Sequence, residues 1–193
     1  NADTWSQRDY SRPFRDQKVG MLPPKLARLM VNLSNLTSEG TSLKSSASAT
    51  LLDPFCGGGT ILMEASLLEF PHLIGSDIDQ KQVEGAKQNM DWLMTEGWIS
   101  KKERECTQLF TSSVESIDQH VTAPIEHIVT EGYLGKPLRG DESFAFLSAQ
   151  KQEIEQIWNR AFPVLSALQP VGGTLVCIWP IYKTDQAMIT VDA

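Results

Sequence analysis

The chain has 193 residues, of which 41% are hydrophobic and 21% charged, and its formal net charge is −7. This composition is typical of a globular protein, and the length suits a single α/β domain better than two domains. Three scattered cysteines and three scattered histidines exclude a disulfide framework and give no support to a metal site. The sequence shows neither a signal peptide nor an apolar run that could span a bilayer, so we expect a cytoplasmic protein.

The acidic balance also bears on possible partners, because proteins that bind nucleic acid unaided normally carry a basic surface. One basic cluster stands near the N-terminus: Arg8, Arg12, Arg15, Lys18, Lys25 and Arg28. Such a cluster either contacts phosphates or merely solvates a surface. If the substrate is RNA, we expect a missing domain or this patch to grip it. The sequence indicates no oligomeric state.

The first part of the chain, residues 1–49, is predicted to be an N-terminal extension that ends in a serine-rich loop. Residues 1–19 are polar with scattered aromatics and predict mostly irregular structure. Apolar residues recur at helical spacing over 25–33, with Pro24 suited to the first turn. Residues 34–49 are rich in Ser, Thr and Gly, which indicates a flexible loop.

Residues 50–193 alternate short apolar runs with amphipathic segments. This alternation predicts a Rossmann-like core, an α/β fold with a doubly wound parallel sheet. Strands are predicted at 50–53, 73–77, 107–111, 125–130 and 174–179. Helices are predicted at 60–68, 81–94 and 142–168, the last being one long helix or a pair interrupted near Pro163. We treat 1–193 as one domain.

A glycine-rich loop follows the first predicted strand. Its residues are Asp53, Pro54, Phe55, Cys56, Gly57, Gly58, Gly59 and Thr60. Glycines let the backbone approach a ligand, and ligands of such sheets bind beyond the carboxyl ends of the strands. Asp53 can accept a hydrogen bond from an ammonium group, such as that of S-adenosylmethionine, and Thr60 is placed to cap the next helix.

Other kinds of glycine-rich loop must be weighed against this interpretation. A phosphate-binding P-loop requires Lys and then Ser or Thr after its last glycine, whereas Thr60 and Ile61 follow here. A dinucleotide fingerprint requires a third glycine where this chain has Leu62. A plain strand-to-helix turn stays open on the evidence of the loop alone.

Asp77, at the end of the second predicted strand, changes that balance. A carboxylate at this position can accept both ribose hydroxyls of a nucleoside cofactor. Ile78 would then pack beside the adenine, and Asp79 would begin the next helix. Alone, Asp77 could equally be a capping residue. Together, Asp77 and the glycine loop favour S-adenosyl-L-methionine over NAD.

Several segments resemble the THUMP-associated RNA methyltransferases, which modify the exocyclic N2 of guanosine in tRNA. These segments are 8–16, 20–27, 53–60 with Glu64 and Ala65, and 75–79. The resemblance implies a seven-stranded methyltransferase sheet, an S-adenosyl-L-methionine cofactor, and a separate upstream domain that binds RNA, expected to be tRNA. It also implies that Leu22, Pro23 and Pro24 line the methionine end of the cofactor, with Ser113 and Val114 near the adenine.

The family's catalytic pattern, Asp-Pro-Pro-Tyr, matches Glu131, Gly132 and Tyr133 only loosely. In the family, a carboxylate and a backbone carbonyl accept the N–H bonds of the base amine while an aromatic ring stacks on the extruded base. The resemblance therefore implies that Glu131 is the catalytic carboxylate and Tyr133 the stacking ring. Because a displacement of about 1 Å can cost on the order of a hundredfold in rate, the activity of this variant is open.

Three alternatives to RNA methylation therefore stay open. In the first, residues 131–133 are an ordinary strand-end loop, and the domain binds the cofactor or RNA without catalysis. In the second and third, the domain methylates an amine of DNA or of a small molecule.

The aromatic residues Trp158, Phe162 and Trp179 are predicted to be core residues rather than stacking partners.

Overall fold

The computed structural model describes residues 2–16, 20–36, 49–121, 124–183 and 188–192. Their α-helices are α1 Ala2–Tyr10, α2 Pro24–Ser34, α3 Thr60–Ser66, α4 Gln80–Thr95, α5 Lys101–Glu105 and α6 Phe144–Leu168, with a 3-10 helix at Val114–Gln119. Their strands are β1 Thr50–Asp53, β2 His72–Asp77, β3 Thr107–Thr111, β4 His127–Thr130, β5 Thr174–Cys177, β6 Ile181–Lys183 and β7 Met188–Thr190.

The five strands β1 to β5 form one parallel sheet in the order β3-β2-β1-β4-β5. The chain moves outward from β1 through β2 to β3, and then returns to place β4 on the other side of β1. The topological switch point therefore lies between β1 and β4, where open α/β sheets bind their ligands. The predicted doubly wound fold is confirmed.

Alternating residues of the strands enter two hydrophobic clusters, one on each face of the sheet. Leu51 and Val129 pack in a first cluster with apolar residues of α2, α3 and α4. Leu52 and Ile128 pack in a second cluster with the 3-10 helix, α6 and the last two strands. Helices on both faces explain why the central strands are almost continuously apolar. Trp158 is fully buried in the second cluster, as predicted for a core residue.

The two C-terminal strands depart from the expected seven-stranded sheet. Among the described residues, β6 and β7 pair only with each other, antiparallel, and form a separate two-stranded sheet. Tyr182 and Ile189 of this pair pack into the second cluster, and Trp179 Nε1 donates to the Val191 carbonyl at 2.6 Å. The implied single sheet of seven strands is therefore wrong for this part of the chain.

The N-terminal segment also differs from the prediction, because nine of the residues expected to be irregular, Ala2–Tyr10, form α1. Helix α1 is polar overall, so the spacing of its apolar residues did not predict a helix. Its stability comes from tertiary contacts. Arg8 of α1 forms a buried ion pair with Glu64 of α3 at 2.5 Å and lies 4.2 Å from the Trp5 ring centroid. The rest of the predicted loop, 37–48, lies outside the described residues.

The remaining predicted elements are found with shifted ends. Residues 142–168 contain one continuous helix, and Pro163 lies inside it. The short helix α5 and the 3-10 helix were not predicted. No helix in the described ranges has both the length and the apolar character needed to cross a membrane.

Candidate active site

Three carboxylates lie close together at the carboxyl edge of the sheet. Asp53 ends β1, Asp77 ends β2, and Glu131 directly follows β4. The negative charges of Asp77 and Glu131 both act on Asp53 and disfavour its ionisation. Asp53 and Glu131 lie on opposite sides of the switch point, which is where open α/β sheets bind their ligands. A ligand bound there would therefore lie next to several carboxylates.

Asp53 is directed into the protein. Its side chain is 1% exposed, accepts a hydrogen bond from the Phe55 amide at 3.3 Å, and is hydrogen-bonded to the buried Thr130 side chain. Burial raises the pKa of Asp53 to about 7, although these two hydrogen bonds act in the opposite direction. A cation placed beside Asp53 would favour its ionised form, so the residue suits the ammonium or sulfonium of S-adenosylmethionine.

The glycine loop is held in a conformation that requires glycine at its end. Gly59 has a φ of +79°, and a Cβ there would lie 3.0 Å from Ala86 Cβ. The loop is fixed to β2 by the Cys56 amide, which donates to the Ser76 carbonyl at 2.8 Å. Burial raises the pKa of the Cys56 thiol, which favours its protonated, weakly nucleophilic form. Phe55 packs against Trp158, with ring centroids 5.6 Å apart.

The segment before α2 braces this loop, a role that the sequence interpretation missed. The Asn89 side chain of α4 accepts a hydrogen bond from the Phe14 amide at 2.9 Å. It donates hydrogen bonds to the carbonyls of Phe14 and Gly58 at 3.1 and 2.8 Å. Arg12 Nη1 donates to Thr60 Oγ1 at 2.6 Å. Thr60 is thus the first helical residue and not the predicted cap; Gly59 occupies the cap position without a side-chain bond.

Asp77 joins the glycine loop to α4. Its Oδ2 accepts the Gly57 amide and its Oδ1 the Asp79 amide, both at 2.9 Å. A carboxylate has about four acceptor sites, so these bonds leave acceptor capacity for a ribose hydroxyl. Asp79 caps α4 by accepting the Lys81 amide at 2.8 Å, as predicted. The neighbouring Ile78 is 76% exposed, which leaves its side chain available to a ligand.

The residues expected near the adenine follow the neighbouring strand. Thr111 of β3 aligns with Asp77 of β2, and Ser113 and Val114 come two and three residues later. The Ser113 hydroxyl donates to Ser116 Oγ at 3.4 Å, while Val114 is buried in the second cluster. The Ser113 oxygen can still accept a hydrogen bond.

The residues expected at the methionine end are divided between two environments. Leu22 is buried in the first cluster, which also contains Cys56. Pro23 and Pro24 line a cleft of about 250 Å³ together with Trp5, Ser6, Asp9, Tyr10 and Lys25. The residues that line this cleft come from α1 and the start of α2, not from the glycine loop.

The loop after β4 excludes the family's proline at one position. Gly132 has a φ of +73°, whereas proline is restricted to a φ near −65°. A Cβ on Gly132 would lie 2.4 Å from Trp158 Cζ2. Trp158 and a hydrogen bond from the Gly132 amide to Thr130 Oγ1 at 3.2 Å restrain this residue.

The rest of this loop is anchored to α6 and β6. Tyr133 Oη donates to Glu153 at 3.1 Å, and Tyr182 Oη donates to the Leu134 carbonyl at 3.2 Å. The Lys136 amide donates to Gln150 Oε1. Glu131 is half-buried, and burial raises the pKa of its carboxyl group. The structure thus brings Glu131 to the edge beside Asp53, while Tyr133 is fastened to α6.

The N-terminal basic residues are largely used inside the protein. Glu64 is paired with both Arg8 and Arg28, and Arg12 is buried. Lys18 lies outside the described residues. This arrangement contradicts the interpretation of the whole cluster as a phosphate-binding surface. Across the described part of the chain, no cluster of His, Cys, Asp and Glu could hold a metal ion.

Comparison with known proteins identifies related chains. A family model, UPF0020 (RMKL-like, methyltransferase domain), matches residues 11–124. A protein of Methanothermococcus thermolithotrophicus named "Probable tRNA (guanine(10)-N2)-dimethyltransferase" is 32% identical over 145 residues, which cover 68% of this chain and 83% of that protein. The tRNA (guanine(10)-N2)-dimethyltransferase of Methanothermobacter thermautotrophicus is 43% identical over 83 residues, 43% of this chain but 21% of the relative.

The solved structure of TrmN from Thermus thermophilus is similar in fold, with a TM-score of 0.57 and 19% identity over 89% of this chain and 41% of that chain. The match to the Methanothermobacter relative spans only about a fifth of that protein's length. The family model covers more than half of this chain. The chain belongs to the RMKL-like methyltransferase domain family.

Proposed function

We propose that this chain transfers a methyl group from S-adenosyl-L-methionine to an exocyclic amine of an RNA base, with the N2 of a tRNA guanosine as the substrate. The observation that carries this proposal is the placement of Asp53 and Glu131 on the two sides of the switch point. The names of the tRNA-modifying relatives support the choice of substrate.

The cofactor fits the residues of this edge. Gly57, Gly58 and Gly59 would approach it through their backbone, Asp53 would accept from its ammonium, and Asp77 would accept from its ribose hydroxyls. Ile78, Ser113 and Val114 would border the adenine, and Leu22, Pro23 and Pro24 the methionine end. When bound, the cofactor supplies an electrophilic methyl group on a sulfonium.

Glu131 would act on the base amine, whose lone pair is delocalised into the ring and is therefore a poor nucleophile. The Glu131 carboxylate and the Gly132 carbonyl would accept the two N–H bonds and so orient the nitrogen lone pair. Partial burial of Glu131 strengthens such a bond because competing water is reduced. Tyr133 would stack on the base, held in place through its hydroxyl bond to Glu153.

RNA would be gripped mainly by residues other than the N-terminal arginines. The chain's net charge is −7, and Arg8, Arg12 and Arg28 are engaged in internal contacts. We propose that a separate RNA-binding domain supplies the phosphate contacts in the working protein.

The Glu131→Gln variant tests the catalytic assignment, using the full-length protein with bulk tRNA and a labelled methyl donor. We expect methyl transfer to fall on the order of a hundredfold because the charged acceptor is lost, while S-adenosylhomocysteine binding is retained. Glu115→Gln, which removes an exposed carboxylate that pairs with Arg160, is the matched control. Transfer that persists unchanged in Glu131→Gln would show that another group accepts the amine protons.

A second candidate is a domain that binds the cofactor but does not catalyse, and one observation favours it. The positive φ of Gly132 is incompatible with the family's proline, so the carbonyl in this loop is positioned differently from the family pattern. If wild-type protein binds S-adenosylhomocysteine but methylates no tRNA, DNA or small-molecule amine, this second candidate replaces the first.

A further inference from the structure

Arg12 is a buried cation without a carboxylate partner. It is 4% exposed, and its Nη1 donates to the neutral hydroxyl of Thr60 at 2.6 Å. Its Nε is buried and makes no hydrogen bond. None of the ion pairs among the described residues includes Arg12.

A charge in this situation is costly, because burial removes water and only the neutral Thr60 hydroxyl takes its place. Burial is also the main reason that the pKa of the Arg12 guanidinium is lowered. The nearest charges do not solve the problem. Asp9 and Glu64 act on Arg12 through space, Arg15 repels it, and Glu64 is already paired with Arg8.

The position of Arg12 indicates what could compensate it. Thr60 directly follows the three glycines of the loop, and the ring of Phe14, two residues after Arg12, would lie 3.3 Å from a Cβ on Gly58. The acids Asp53 and Asp77 lie at the strand ends that flank this loop. A ligand in the loop would therefore meet carboxylates from the strands and a guanidinium from the N-terminal segment.

We propose that Arg12 binds the carboxylate of the amino-acid part of the cofactor, an inference that rests on the proposed cofactor site. The ligand then has its cationic groups beside the acids and its one anionic group beside Arg12. The enclosure of Arg12 argues against a phosphate of RNA, because a polymer backbone needs an exposed cation. The bond would join the N-terminal segment to the cofactor, so cofactor binding would stabilise that segment.

The test compares two ligands by calorimetry: S-adenosylhomocysteine and its decarboxylated analogue, which retains the adenosine, the sulfur and the amine. For Arg12→Met we expect binding of S-adenosylhomocysteine to weaken about 10- to 100-fold, as for loss of a charged hydrogen bond, and binding of the analogue to change less than about twofold. Arg12→Lys should keep part of the preference for S-adenosylhomocysteine over the analogue, since lysine retains the positive charge but lacks the planar guanidinium that can donate two parallel hydrogen bonds.

Arg28→Met is the matched control. It removes another arginine that contacts α3, but this arginine pairs with Glu64 and not with Thr60 beside the glycine loop. It should leave the affinities for both ligands unchanged. An equal loss for both ligands in Arg12→Met and Arg12→Lys, or no loss for either, would overturn the inference while the cofactor site stands. If wild-type protein binds neither ligand, the proposed function itself fails. Should Arg12→Met not fold, Arg12→Lys decides between these outcomes.

Discussion

The two loops that form the candidate site are held in place by different kinds of contact. The glycine loop after β1 is fixed by charged and amide groups: Asp77 accepts from Gly57, Asn89 donates to Gly58, and Arg12 donates to Thr60. The loop after β4 is fixed mainly by neutral groups of α6 and β6, notably Trp158 and Tyr182. The strength of charged contacts changes with pH and with a bound ligand, whereas the strength of packing contacts depends on how well the side chains fit together.

This difference suggests a division of labour between the loops. A polar network whose charges are incompletely compensated can respond when a charged ligand arrives, because the ligand supplies the missing partners. A loop packed on a buried tryptophan is positioned before any substrate binds, which favours accurate placement of Glu131. The variants below separate the two modes of support, beginning with the largest expected effect.

Gly132→Ala should be the most damaging change in the packed loop. Its Cβ would lie 2.4 Å from Trp158 at a φ of +73°, so both overpacking and backbone strain apply. We expect a loss of about 2–5 kcal/mol in the free energy of unfolding, measured by chemical denaturation. Gly97→Ala is a matched control, because Gly97 has the same φ of +73° and no atom within 4 Å of the added Cβ. Equal losses would show that strain alone matters and that Trp158 gives way.

The contrast between the loops also explains what the sequence could predict. The glycine loop and Asp77 were recognisable because glycines and an acid at strand ends are local signals. The restraint of Gly132 carried no local signal, because Trp158 is 26 residues away and only the fold brings the two residues together. Likewise, Arg12 and Asn89 support the glycine loop from two distant segments. Residues whose role depends on such long-range contacts carry no local pattern.

The fold shows the same limit. The five parallel strands were predicted from apolar runs, and Asp79 from its capping position. Helix α1 was missed because its polar surface hides the buried pair of Arg8 with Glu64. Helix α5 did carry a local signal in the sequence, since Ser100 and Glu103 form a capping box. The separate pairing of β6 with β7 depends on packing against α6, which no strand pattern specifies.

In the polar network, Asp53 should make stability depend on pH. Because its folded pKa of about 7 lies above its ordinary value of 3.8, the folded protein retains a proton that the unfolded chain releases. Its contribution to stability is therefore greatest below about pH 4 and is lost as the pH rises through 7. Asp53→Asn lacks this titration, so the variant should gain roughly 2–4 kcal/mol relative to wild type between pH 4 and pH 8.

Denaturation curves of both proteins at several pH values measure this difference, with the exposed-carboxylate variant Asp118→Asn as a baseline. A difference between Asp53→Asn and wild type that does not vary with pH would mean that Asp53 is ionised throughout. The same titration predicts that S-adenosylhomocysteine binds wild-type protein more tightly as the pH rises from 6 to 8, because the ionised carboxylate attracts the ligand's ammonium.

Asp77→Asn should weaken cofactor binding more than it affects folding. The amide loses the charge that strengthens bonds to ribose hydroxyls, and it can no longer accept both backbone amides. We expect the affinity for S-adenosylhomocysteine to fall by about 1–3 kcal/mol in calorimetry. Asp79→Asn makes the same chemical change two residues away but preserves the helix cap, so its affinity should match wild type. Unchanged affinity in Asp77→Asn would remove Asp77 from the site.

The smallest effect is expected from Tyr133→Phe, which removes only the hydroxyl that donates to Glu153. Because Trp158, Gln150 and Tyr182 also hold this loop, we expect a loss of at most about 1 kcal/mol in stability and methyl transfer within about threefold of wild type. Tyr182→Phe deletes the matching hydroxyl, which donates to the Leu134 carbonyl, and should behave alike. Tyr133→Ala removes the ring as well, and loss of base stacking should then weaken RNA binding by about 1–3 kcal/mol. If Tyr133→Phe were as defective in transfer as Tyr133→Ala, the hydroxyl rather than the ring would act on the substrate.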